Sequence, residues 1–310
     1  MTLKSKGTSL TRLTCDIKKD LVLYLMLIPF IAAYILFAYR PLSGLMVAFK
    51  DYNLFKGMYE SPWVGFDNFK AFLGGPYFGR TMRNTLEIGT LSLLISFPAP
   101  ILLALMINEM RSKKLKSVIQ SITYMPYFIS TVVIAGIIVN IFSPSTGIIN
   151  LIIKKLGFEP INFLLIPKWF RPIYIGSDIW QNCGYGAIIY IAALSSIDVQ
   201  LYEACVIDGG NKLNQILHVT LPGILPTIII MFIMNVGQII NVGYEKIILL
   251  YQPVTYEKAD VLSTFIFRSG IENGEYGVAT AVGLFNSAVT LVLVVITNYI
   301  CRSLNETSLW

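Results

Sequence analysis

Charged residues are scarce in this sequence. They make up 14% of its 310 residues, whereas soluble globular proteins carry about 25%. So few charges cannot cover the surface of a water-soluble fold of this length, and the composition also excludes disorder, a coiled coil and collagen. Apolar residues are abundant instead: 55% of the chain is hydrophobic and the mean hydropathy is +0.65. These values predict a bundle of membrane helices.

Residues that hold metals or form catalytic triads are also rare. The sequence has one histidine, His218, so an H-E-x-x-H zinc site is excluded and any Ser-His-Asp triad would have to use that residue. The cysteine spacings fit no metal template and no disulfide framework. We expect reduced or buried thiols at Cys15, Cys183, Cys205 and Cys301. We predict no metal site and no catalytic residue in this chain.

A phosphate-binding loop of the pattern G-x-x-x-x-G-K-[ST] does not occur in the sequence. The cluster from Gly209 to Lys212 has suitable residue types, but it lacks the spacing and the preceding buried strand, and we interpret it as a turn. The chain is therefore not expected to hydrolyse ATP, and we predict no cofactor bound to it.

Six apolar stretches each reach the roughly 20 residues that a helix needs to cross a bilayer. They are residues 21–39, 85–107, 118–142, 172–194, 223–243 and 276–300. The first is longer than the apolar core of a signal peptide, so we predict that it is retained. The predicted fold is all-α, with one six-helix transmembrane domain over residues 21–300 between tails at 1–20 and 301–310.

The positions of lysine and arginine predict the orientation, because short cytoplasmic segments are enriched in both. Five basic residues precede the first span, and four lie in the short loop at 108–117. The sequence thus predicts a multi-pass membrane protein with both termini in the cytoplasm. Segments 40–84, 143–171 and 244–275 then lie outside, and the loop at 195–222 lies inside.

The loop at 195–222 is the longest of the predicted cytoplasmic loops, and its sequence predicts a bent pair of helices. Asp198 is a good helix N-cap, so we predict a short helix over 199–207. Gly209–Gly210 permits a sharp turn, and a second helix follows over 211–220. On these residues alone, the bend is either a rigid knob that docks into a cleft of another protein or a plain connection between two spans.

This loop resembles the cytoplasmic "EAA" loop of permease subunits in bacterial ATP-binding-cassette (ABC) importers. The family pattern is Glu-Ala-Ala, two residues, Asp-Gly-Ala, then a phenylalanine, an isoleucine and Leu-Pro, with a further proline four residues on. The chain matches it in register at Glu203, Ala204, Asp208, Gly209, Leu221, Pro222 and Pro226. It departs from the pattern, with small or apolar residues, at Cys205, Gly210, Ile216 and Val219.

Further segments extend the resemblance over nearly the whole chain. They are similar to permeases of carbohydrate importers, chiefly of the branch that handles complex oligo- and polysaccharides, and lie at 64–69, 84–85, 105–109, 124–130, 147–150 and 308–310. The resemblance implies the type I ABC importer permease fold, a place in the bacterial plasma (inner) membrane, and a non-catalytic role in binding-protein-dependent sugar import. It also implies that a second six-helix permease, in a heterodimer, completes the transport pathway.

The resemblance also implies how transport is driven. Two ATPase subunits, which bind ATP and Mg²⁺, lie beneath the permeases, and an extracellular solute-binding protein delivers the saccharide. A coupling helix and its turn would sit in a groove of an ATPase, with Glu203 paired to a basic residue there; this set is Glu203, Ala204, Cys205, Asp208, Gly209 and Gly210. The chain would contact membrane lipid and no nucleic acid.

Polar side chains inside apolar spans are costly, so they usually face a bundle interior or water. In the fifth span, Asn235, Gln238 and Asn241 either bind saccharide hydroxyls or link neighbouring helices. In the fourth span, aromatic rings and an amide either contact the sugar or serve as ordinary packing and an interfacial belt. These candidates are Trp180, Gln181, Tyr185 and Tyr190.

Two other classes of function compete with an importer permease. An ion-coupled secondary transporter of a sugar typically shows internal repeats and intramembrane ionisable residues. The third, fifth and sixth predicted spans contain neither acid nor base, which argues against it. A membrane-embedded protease would have to rely on His218, which lies in a loop predicted at the membrane surface rather than within it.

Overall fold

The computed structural model describes residues 20–305 and 308–309 of the chain. Over these residues the fold is helical, and its extended pairing is a single antiparallel bridge between Lys50 and Trp63. The predicted all-α class is confirmed. The predicted tail at 1–20, including Cys15, lies outside the described residues except for residue 20.

The principal helices are labelled in chain order. The first eight are α1 (Leu21–Tyr34), α2 (Asp67–Leu73), α3 (Phe78–Ile95), α4 (Pro98–Asn108), α5 (Lys113–Tyr124), α6 (Thr131–Phe142), α7 (Ile148–Lys155) and α8 (Pro167–Ser195). They are followed by α9 (Val199–Ile207), α10 (Lys212–Gly237), α11 (Tyr244–Leu250), α12 (Leu262–Phe267) and α13 (Tyr276–Asn305).

Within the described residues, four helical runs are long and apolar enough to cross a membrane. They are Leu21–Phe49, Phe78–Asn108, Lys212–Gly237 and Tyr276–Ser303. The number rises to six if each of two bent pairs is counted as one span: α5 and its following turn meet α6 at 101°, and α8 meets α9 at 70°. Each of the six predicted apolar stretches therefore overlaps one of these runs, but two of them differ in shape or extent from the prediction.

The third predicted span, 118–142, is broken rather than straight. α5 ends in a 3₁₀ turn at Met125–Phe128, in which Pro126 has no backbone N–H to continue the α-helical hydrogen bonds. The Ser130 hydroxyl then caps α6, accepting a hydrogen bond from the Val133 amide at 3.4 Å. A proline and a good N-cap only four residues apart account for the break.

The fifth predicted span begins earlier than expected. The second helix predicted for the 195–222 loop and the membrane span form one run, α10, so no new element starts at Pro222. A π-helical turn at Ile216–Thr220 joins the two parts. π-Turns insert an extra residue into a helix and often occur at functional sites.

The same span also ends earlier than expected. α10 stops at Gly237, and residues 238–243 continue as a non-helical segment. Ile240 in that segment is 1% exposed, so its apolar character serves burial within the protein. Gly89 on α3 makes the close approach possible, because a Cβ atom there would overlap the carbonyl oxygen of Ile239.

Three apolar clusters hold the helices together. The first centres on α6, α8 and α11, the second joins α4, α8 and α10, and the third joins α2, α12 and α13 with part of the 238–243 segment. α8 contributes to two of the three clusters, so its orientation fixes how the walls of the bundle meet.

α1 stands apart from this bundle. None of its residues is buried, although its sequence is apolar throughout. It continues through a π turn at Ile35–Tyr39 into a 3₁₀ helix at Arg40–Phe49, and that last segment packs on α13. A helix that is apolar all round and lacks protein neighbours must face lipid or another subunit.

Candidate functional site

A cavity of about 350 Å³ lies between α3, α8, the end of α10 and the segment 238–243. Small-molecule sites commonly have volumes of about 300–1,000 Å³. Polar side chains cover much of its wall: Ser92, Ser96, Tyr174, Asp178, Asn182, Tyr190, Asn235, Gln238 and Asn241. Among the described lining residues, Asp178 alone carries a charge. The cavity therefore offers many neutral hydrogen-bonding groups and one carboxylate.

The structure brings Asn235, Gln238 and Asn241 together at this cavity. The predicted helical stripe is not the reason, because α10 ends at Gly237 and the last two residues lie beyond it. Asn241 also links the 238–243 segment to α13, since its Oδ1 accepts a hydrogen bond from Asn286 at 2.6 Å. Contact with a saccharide stays a prediction for all three.

Trp180, Gln181 and Tyr185 lie away from the cavity. Trp180 borders an apolar pocket between α6 and α8, and Tyr185 stacks on Tyr127 with ring centroids 3.8 Å apart. Gln181 is half-buried and does not line the cavity. The structure thus offers no support for assigning these three side chains to a sugar site.

A different face of α8 lines the cavity. Its residues recur at four-residue intervals: Tyr174, Asp178, Asn182, Gly186 and Tyr190. Residues four apart share one face of a helix, so this spacing was visible in the sequence. The sequence interpretation followed aromatic side chains instead of the polar period. It therefore included Tyr190 on this face but placed its other candidates on α8 outside the cavity lining.

Lys246 on α11 lies beside the charged residue of the cavity. Its side chain is 8% exposed, and its Nζ is 3.7 Å from the Asp178 Oδ1 and 5.7 Å from the centre of the Tyr174 ring. The same Asp178 oxygen accepts a hydrogen bond from the Asn182 amide at 2.8 Å. Burial lowers the pKa of Lys246, and the charge of Asp178 opposes that shift. The two residues form an ion pair in which Lys246 is buried behind the cavity wall and Asp178, which is 29% exposed, lines the cavity.

A second charged group, here named the Asp260 network, joins α3 to α12. The Asp260 side chain is fully buried and accepts hydrogen bonds from Arg80 at 2.6 Å, from Arg268 at 3.0 Å and from Thr264 at 3.0 Å. The Asn84 amide donates to the Asp260 carbonyl oxygen at 2.9 Å. Each oxygen of this carboxylate is satisfied, so the network locks the two helices together.

The predicted bend in the 195–222 loop is present, and we name residues 198–211 the Gly209 corner. The Asp198 Oδ1 accepts a hydrogen bond from the Gln200 amide at 2.9 Å, as expected of an N-cap. Gly209 has φ +80°, a conformation that side chains disfavour. A Cβ atom on Gly210 would lie 2.7 Å from the Cys205 carbonyl oxygen, so both glycines are needed.

The Gly209 corner presents unpaired groups on its surface. Ile207 is 84% exposed, and Glu203 is exposed with no ion-pair partner among the described residues. One contact from the corner and one from the residue after it reach the bundle: the Tyr202 hydroxyl lies 3.1 Å from the Thr220 Oγ1, and Lys212 pairs with Glu109 at 3.1 Å. The corner is therefore connected to the bundle, while Glu203 and Ile207 stay exposed within the described part of the chain.

Comparison with known proteins assigns the chain to a family. Residues 96–306, more than half of its length, match the family described as "binding-protein-dependent transport system inner membrane component". The chain belongs to this family. The permease is 40% identical to protein LplB of Bacillus subtilis, over 95% of this chain and 92% of that one.

Two further relatives are closely similar. The polygalacturonan/rhamnogalacturonan transport system permease protein YteP of B. subtilis is 38% identical, over 96% of this chain and 93% of that one. A chain in the crystal structure of a bacterial alginate ABC transporter, in complex with an alginate pentasaccharide-bound periplasmic protein, is 46% identical, with a TM-score of 0.89 and coverage of 96% and 100%. The predicted type I ABC importer permease fold is confirmed, and the chain is a multi-pass membrane protein.

Proposed function

We propose that this permease forms, with a second permease, the membrane pathway of an ABC importer for oligo- or polysaccharides. The polar cavity between α3 and α8 carries the proposal, because its amides and hydroxyls suit the hydroxyl groups of a sugar. Asn235, Gln238 and Tyr190 supply such groups from different elements. The saccharides after which the YteP system and the alginate transporter are named support a saccharide cargo.

The exposed apolar surface of α1 supports the proposal of a partner permease. This helix is apolar throughout and none of its residues is buried against the described part of the chain, so its surface is free to pack on another apolar helix in the membrane. We propose that α1 packs on a second, different six-helix permease in the bacterial inner membrane. The periplasmic protein in the solved alginate complex supports delivery of cargo by a solute-binding protein.

The free surface of the Gly209 corner supports attachment to an ATPase subunit. An exposed isoleucine at 207 offers an apolar contact, and Glu203 offers a charge to a basic residue of the partner. We propose that ATP and Mg²⁺ bind the ATPase subunits while this chain catalyses no reaction. The corner and both chain termini then lie on the cytoplasmic side, and the Asp260 network lies outside.

Reconstitution of the assembled complex in proteoliposomes tests this proposal. We expect saccharide uptake that requires the binding protein on one side and ATP on the other, and that stops when the ATPase is inactivated by mutation. Dissipating ion gradients with an ionophore should leave uptake unchanged. Uptake that follows an ion gradient and survives the inactive ATPase would instead identify a secondary transporter.

A further inference from the structure

The Asp178–Lys246 pair bears on the charge of the saccharide, which the proposed function leaves open. We propose that Lys246 is a specificity-determining residue: by neutralising Asp178, it allows saccharides that carry carboxylate groups to enter the cavity. The inference rests on the proposed function and names the chemical class of its substrate as acidic saccharides.

The first step concerns the cavity wall. Asp178 is the one charged side chain among the described lining residues, and its carboxylate is held in place by Asn182. In a partly closed site, electrostatic interactions are stronger than in bulk water. An uncompensated carboxylate there would repel an anionic sugar, whereas the neutral amides around it would not.

The second step concerns the lysine. Burying an ammonium group is costly unless it is paired. Lys246 is buried, and Asp178, within 4 Å, supplies the pairing charge. The Lys246 Nζ has no hydrogen-bond partner among the described residues. At 3.7 Å the pair is too long for a good hydrogen bond. The lysine thus cancels the charge of Asp178 while its own hydrogen-bonding capacity stays unused.

The third step concerns the approach to the cavity. Three segments are predicted to lie on the outer side of the membrane: 40–84, 143–171 and 244–275. In them, basic residues outnumber acidic ones by 13 to 9. A surface with an excess of positive charge raises the local concentration of anions. The net positive charge of these segments and the neutralised wall therefore both favour the entry of an acidic saccharide.

The test uses the complete importer with its binding protein in proteoliposomes. Uptake of trigalacturonate is measured per assembled complex, alongside its carboxyl-reduced, neutral counterpart. We expect wild-type uptake of trigalacturonate. We expect Lys246→Met to lower that uptake at least about tenfold, because the exposed charge of Asp178 then opposes the substrate.

Charge rescue separates this role from a purely structural one. The double variant Lys246→Met/Asp178→Asn restores a neutral wall, and we expect it to recover trigalacturonate uptake to within about threefold of wild type. Lys246→Arg keeps the positive charge and should also retain uptake. Should Lys246→Met fail to assemble, the double variant and Lys246→Arg still give these readouts.

Lys50 provides a matched control. It is also a buried lysine, 7% exposed, but its Nζ donates to the Met58 carbonyl at 2.7 Å and it does not line the cavity. We expect Lys50→Met to change assembly without changing the ratio of acidic to neutral uptake.

Three results would overturn the inference: wild-type uptake of the neutral sugar alone, full trigalacturonate uptake by Lys246→Met, or no rescue by Asp178→Asn. A wild-type complex that takes up no saccharide of any kind would instead refute the proposed function.

Discussion

The Asp260 network and the Gly209 corner satisfy their side chains in opposite ways. In the network, a fully buried carboxylate finds two arginines and a threonine within the same chain. At the corner, Ile207 is 84% exposed and Glu203 is left without an ion-pair partner among the described residues. The first region pairs its charges within the single chain, whereas the second leaves exposed the groups that we propose contact an ATPase subunit.

The largest effect should come from breaking the Asp260 network. Asp260→Ala leaves Arg80 and Arg268 without their shared counter-ion, and removing one partner of a buried ion pair costs about 3–5 kcal/mol. Because Arg80 is one-third exposed, we expect a value near 3 kcal/mol. Unfolding of the permease in detergent, followed against denaturant, measures it.

A surface pair is the control for that experiment. Asp67 and Lys70 are 67% and 77% exposed, so Asp67→Ala should cost less than about 1 kcal/mol. An equal loss of stability in the two variants would show that the Asp260 network is not a special anchor.

A smaller loss of stability with a large loss of function is expected at the corner. Gly209→Val places a β-branched residue at φ +80°, at a cost of about 1–2 kcal/mol. We expect membrane insertion to persist, while saccharide uptake per complex falls at least about tenfold because the corner loses its shape.

Gly157 is a matched control for Gly209. It has φ +86°, and nothing lies within 4 Å of the Cβ position at either glycine. Gly157→Val therefore introduces similar backbone strain outside the corner, and uptake should remain close to wild type. Equal loss of uptake in both variants would contradict a coupling role for Gly209.

The smallest change in the permease itself is expected for Ile207→Ala. A side chain that is 84% exposed contributes little to folding, so the free energy of unfolding should change by less than about 0.5 kcal/mol. The affinity for the ATPase subunit, measured by co-purification or titration, should nevertheless fall several-fold. Unchanged affinity would mean that the exposed corner serves no contact with that partner.

Apolar length predicted the positions of the membrane helices but not their breaks. Hydropathy does not separate burial in lipid from burial in protein. Ile239 and Ile240 show this, because they lie in a non-helical segment where Ile239 packs against Gly89 and Ile240 is buried. Likewise, proline is tolerated inside many membrane helices, so the presence of Pro126 did not by itself predict the 101° bend.

The corner was predictable because its determinants are local. An N-cap aspartate and two glycines fix the helix end and the turn within a few residues. The cavity depends on contacts between distant elements, and Lys246 lies 68 positions after Asp178 in the sequence. No periodicity along one segment reveals such a pair, although the four-residue spacing on α8 identifies half of it.

The lack of buried residues on α1 bears on the stability of the permease in the membrane before assembly. Hydrocarbon tails are as apolar as the leucines of this helix, so an unpaired α1 in a bilayer pays no penalty of the kind that water would impose. A newly inserted subunit can thus remain stable in the membrane before it meets the proposed second permease. Recognition between them must then come from close packing and shape, because there is no water to expel.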